Sequence, residues 1–136
     1  MNAAGATVVR AADVAVPATE TQARDPWPAD LYGWISKLPG VATVAAPTPV
    51  TIGGAPGTRF TVTTPAMHPL FHEKGESMWV GGGNTGLDPA YTRQFIVLTV
   101  SGATLVIEYD DVASQFDQRV RQIDAIVDSI TFKASN

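Results

Sequence analysis

Residues 66–86, AMHPLFHEKGESMWVGGGNTG, gather much of what could do chemistry in this chain. His68 and His72 stand four apart, the spacing that sets two imidazoles on one helical face, and Glu73 or Glu76 would complete a zinc-like donor set. Against this, Pro69 and Gly75 bracket a segment too short for a secure helix, and HPLFHE lacks the glutamate placement of the zinc-protease motif. The chain also has only 2 histidines, so no third imidazole is available. GGGNTG follows a strand-like SMWV and invites a phosphate-loop reading, but it leads into LDPAYTRQ and a further strand, whereas a phosphate cradle needs a helix N-terminus at that point.

Nucleophilic catalysis has few usable parts. Ser77, His68 or His72, and Asp88 are the residue types of a serine hydrolase, yet no strand-turn-helix elbow places the serine. Asp110 and Asp111 read as the exit of a hairpin, with negative charge ahead of a helix, rather than as a working carboxylate pair. A binding surface fits the composition better. Met67, Phe71, Met78 and Trp79 supply adaptable apolar area, and His68, His72, Asn84, Arg59 and Arg93 can orient a polar group at its rim. The expected ligand-binding set is therefore His68, His72, Trp79, Asn84, Arg59 and Arg93, with no catalytic residue, metal or cofactor.

Composition narrows the partners. The chain has 136 residues, 45% of them apolar and 16% charged, with 12 glycines and 10 prolines, which suits one folded, turn-rich domain. Nine basic residues scattered against a net charge of −4 argue against a nucleic-acid face. Absence of cysteine excludes disulfides, thiolate metal sites and cysteine nucleophiles. No apolar run reaches the roughly 18 residues of a membrane span, and the first residues lack the pattern of an export signal. The expected partner is a small molecule or a protein.

The elements that would position these groups follow from periodicity. Residues 1–26 read as an N-terminal arm with a weak strand in ATVVRAADVAV, and residues 27–133 as a single α+β domain. Leu31, Trp34, Ile35 and Leu38 trace one face of a helix, with Pro28 in its first turn and Pro39-Gly40 stopping it. Two β-prone runs flank Gly53-Gly54 and Pro56-Gly57; Phe60 and Val62 form an apolar face, with Arg59, Thr61 and Thr63 on the wet side. Ser101-Gly102 divides two β-branched runs, so that Val100 pairs with Ala103, Leu98 with Leu105 and Ile96 with Ile107 on one apolar face. The opposite face, carrying Thr99, Thr104, Val97, Val106, Phe95 and Glu108, is more amphipathic. Ser114 with Asp117 resembles a helix-starting cap, and Phe116, Val120, Ile123, Val127 and Ile130 form a stripe that should dock on the sheet before a terminal strand in SITF. An antiparallel sheet with two main helices packed on it is expected.

The run from DLYGWISKLPGV through APTPVTIGGAPGTRFTV to YTRQFIVLTVSGATLVIEYDD and DQRVRQIDAIVDSITF resembles an uncharacterised domain of actinobacterial exported proteins and lipoproteins, and its closing portion is similar to the Mog1/PsbP-like α/β fold. The resemblance covers roughly residues 27–133 and rests on architectural motifs. It implies a Mog1/PsbP-like sandwich, an extracytoplasmic setting and a further strand ahead of the first helix, and it brings no catalytic residues. A non-catalytic binding or interaction module of an exported protein is the reading that follows. The alternatives are a small hydrolase-like enzyme using a histidine of residues 66–86, and a structural protein-protein interaction domain.

Overall fold

Two β-branched runs joined by Ser101-Gly102 form strands β8 (Tyr91–Val100) and β9 (Ala103–Val112) in the expected register, Val100 opposite Ala103, Leu98 opposite Leu105 and Ile96 opposite Ile107. Ser101 and Gly102 both take positive φ, 49° and 77°, the two-residue turn whose twist matches that of the strands it joins. This computed structural model describes residues 5–10, 13–15, 24–26, 28–37, 40–64, 68–73, 76–80 and 91–133. The other strands are, in chain order, β1 (Gly5–Arg10), β2 (Asp13–Ala15), β3 (Arg24–Pro26), β4 (Ala42–Ile52), β5 (Ala55–Thr64), β6 (His68–Glu73) and β7 (Glu76–Val80). Helix α1 (Leu31–Ser36) lies between β3 and β4 in the sequence, and α2 (Ala113–Asp128) follows β9.

The main sheet is antiparallel and five-stranded, in the order β1-β9-β8-β5-β4. Strand alternation sends its side chains to two faces, and each face meets a helix. On one, Phe60, Val62, Phe95 and Val106 pack with Leu31 and Ile35 of α1. On the other, Ile52, Ala55, Ile96, Leu98 and Ile107 pack with Val127 of α2. The hairpin face read as amphipathic is thus a second core, because α1 covers it. The side of β5 read as wet is likewise covered. Thr61 is buried, and Arg59 reaches Asp124 of α2 across 3.7 Å.

Several boundaries differ from the sequence reading. The weak strand of residues 1–26 is β1, paired with β9 from Gly5 opposite Asp110 to Arg10 opposite Leu105, so the sheet does not begin at residue 27. Pairing there satisfies an edge of β9 that would otherwise be open. Helix α1 starts after Asp30, leaving Pro28 ahead of its cap, and Leu38 and Pro39 lie outside the described residues. Helix α2 starts at Ala113, with Val112 at the cap position and no side-chain cap bond, so Ser114 is inside the first turn. Ile130 and Phe132 form no strand; they pack half-buried against the α2-side core.

The stretch read as an anchored surface loop contains two strands. β6 and β7 pair with each other, the latter agreeing with the strand-like SMWV, and they complete a second, four-stranded sheet in the order β3-β2-β6-β7. GGGNTG and Asp88 lie outside the described residues.

Candidate functional site

Asp30 begins the site. Its backbone carbonyl accepts from Trp34 N–H at 3.0 Å while its carboxylate Oδ1 accepts from Gly33 N–H at 3.0 Å, which caps α1. A methyl group at Gly33 would press on that carboxylate and displace the cap. The short helix is held to the main sheet by Leu31 and Ile35 and by Tyr32, whose hydroxyl lies 2.8 Å from Thr43 Oγ1 of β4. The Tyr32 ring meets Phe60 edge-on at 5.3 Å, and Phe60 stacks on Phe95 at 5.1 Å. Pro28 and Pro47 line the space beside them. The result is a cleft of about 310 Å³ between the start of α1 and the sheet, with Leu31, Tyr32, Phe60 and Val97 as its walls and Asp30 and Thr58 as its polar groups. That volume is at the lower end of small-ligand pockets.

On the same face of the sheet, Arg93 is buried between two acids of β9. Its Nη1 lies 3.2 Å from Glu108 Oε1 and 3.1 Å from Asp110 Oδ2, and its guanidinium sits 5.6 Å from the centre of the Tyr91 ring. Burial pushes the Glu108 carboxyl up to about 8, Asp110 beside it pushes in the same direction, and Arg93 opposes both. Burial also lowers Arg93 from its ordinary value, against the pull of the two carboxylates.

The α2 side carries a separate polar set. Tyr109 donates to Asp111 Oδ2 at 3.0 Å, Arg119 Nη1 donates to the same oxygen at 3.3 Å, and Val112 N–H reaches Asp111 Oδ1 at 2.8 Å. Burial, then the bond to Asp111, push the Tyr109 phenol up to about 12. Asp110 and Asp111 are adjacent in sequence but serve opposite faces of β9, which rules out joint action as a carboxylate pair.

The six expected ligand-binding residues are not gathered into one place. Arg93 shares the face of Val62, its register partner, while Arg59 ties β5 to α2 on the other face, near Asp124 at 3.7 Å and Asp128 at 3.9 Å. Arg93 is fully buried within ion pairs, so it forms no rim; burial on both sides of β8 could not be read from its own alternation. His68 and His72 lie on β6, whose extended backbone removes the helical spacing behind the two-histidine reading, and Trp79 lies on β7. Asn84 is outside the described residues. Register aligns Asp13 of β2, His72 of β6 and Ser77 of β7 in one cross-strand row. Among the described residues no group of three or more acids and histidines is placed to hold a metal ion.

The sequence reading missed Asp30, Thr58 and the cleft. Asp followed three residues later by Gly was the available local signal; the approach of Pro47 and Val97 to α1 had none.

No protein-family profile and no curated protein matches the chain. Its fold is similar to that of PA94 from Pseudomonas aeruginosa, a protein of unknown function for which a regulatory role is suggested, with a TM-score of 0.51 over 99% of this chain and 86% of that one. At 6% identity the likeness concerns the fold alone. No helix among the described residues is long and apolar enough to cross a membrane.

Proposed function

We propose that this α+β domain is a non-catalytic binding module of an exported protein and that its ligand occupies the cleft between α1 and the main sheet. The observation that carries the reading is the make-up of that cleft: apolar walls from Leu31, Tyr32, Phe60 and Val97, polar groups in Asp30 and Thr58, and no nucleophile-base pair among its described lining residues. The exported, lipoprotein-type setting and the Mog1/PsbP-like assignment rest on the sequence motifs from DLYGWISKLPGV to DQRVRQIDAIVDSITF. A fragment library titrated into isotope-labelled protein tests the site. Saturable shifts should centre on the amides of Leu31, Tyr32, Thr58 and Val97 and persist in a His68→Ala/His72→Ala double variant. Shifts confined to β6 and β7 and lost in that variant would move the site to residues 66–86.

The hydrolase alternative is supported by one placement, the row Asp13, His72 and Ser77 across β2, β6 and β7, which has the residue types of a serine nucleophile, its base and an orienting acid. A fluorophosphonate probe discriminates it. The hydrolase reading expects an adduct on Ser77 that Ser77→Ala abolishes and His72→Gln slows. An unlabelled, folded protein would remove it.

A further inference from the structure

Resting on the reading of the α1 cleft as a ligand site, we propose that it takes a small amphiphile with a ring-sized apolar body and a cationic head group. The walls set the body. Leu31 and Phe60 are buried at its floor, Tyr32 lines it, and about 310 Å³ is too little for a long acyl chain.

Charge sets the head. Among the described lining residues Asp30 is the sole acid and none is a lysine, arginine or histidine, so a carboxylate or phosphate would meet a like charge with no compensating cation among them. The Asp30 carboxylate uses Oδ1 on the Gly33 N–H, and a carboxylate accepts up to about four hydrogen bonds, so an ammonium can join without uncapping the helix. The net charge of −4 favours approach of a cationic ligand.

Three probes of nearly equal shape test this: 2-phenylethylamine, 2-phenylethanol and phenylacetate, titrated at low ionic strength with the cleft amides as the readout. Because Asp30 is exposed, the amine should bind only roughly two- to fivefold more tightly than the alcohol, and the acid most weakly. Asp30→Asn keeps a good capping side chain while removing the charge, so it should erase the amine's advantage over the alcohol. Equal binding of amine and alcohol, an advantage that survives in Asp30→Asn, or preference for the acid would overturn the cationic head and leave the cleft as a ligand site. Failure of all three probes to shift the cleft amides would overturn the proposal together with the reading beneath it.

Discussion

Glu108 is the residue on which the structure makes its sharpest thermodynamic demand. It is buried beside Asp110 and Arg93, so two carboxylates share one guanidinium in a setting that disfavours a second negative charge. Its carboxyl titrates near 4.5 when unfolded and is pushed up to about 8 in the fold, so the folded state holds a proton that the unfolded chain releases. The sign follows from linkage: this contribution to stability is fully present below about 4.5 and is lost as pH rises through about 8. Melting temperature measured across that window should fall with pH in the parent protein, and the decline should be smaller in Glu108→Gln, where the side chain stays neutral. Parallel profiles for the two proteins would contradict the protonated carboxyl. Arg93 shows why such a residue was misread. Flanked by Thr92 and Gln94 it looks like a surface arginine, and its burial depends on groups distant in the sequence.

At the scale of elements, legibility tracked how local the determining interaction is. The β8–β9 register followed from period-two alternation around a two-residue turn, because a slip by one residue would exchange both faces. The α2 stripe was equally local, and its buried ends, Phe116 and Val127, match the pattern. Residues 66–86 were less legible, since β6 and β7 carry a proline and two histidines and draw on pairing with β2. The β4–β5 turn joins local and distant terms. Gly53 and Gly54 both have positive φ, 56° and 82°, but a methyl at Gly53 would lie 2.7 Å from the Ile130 carbonyl oxygen, while at Gly54 it would meet open space. Gly54→Ala should therefore cost about 1 kcal/mol from backbone strain alone, and Gly53→Ala more, about 2–3 kcal/mol. Urea denaturation of both variants checks this; equal losses would show that the segment after α2 does not press on the turn.

The molecule as a whole differs from the expected sheet with one apolar side, because its main sheet is covered on both faces, by α1 over Phe60, Val62, Phe95 and Val106 and by α2 over Ile52, Ile96, Leu98 and Ile107. That double covering removed Arg93 from the rim and formed a cleft where α1 begins over the sheet. By itself the sequence determined the α+β class, the central hairpin and its register, and the faces of both helices, since each depends on spacing within a few residues along the chain. Only the tertiary structure decided that β1 completes the main sheet, that Arg59 and Arg93 serve opposite faces, and that Asp30, Thr58 and Val97 meet around one cleft. Periodicity records which side of an element is apolar; what covers that side is set by contacts between segments far apart in sequence, and no single segment carries them.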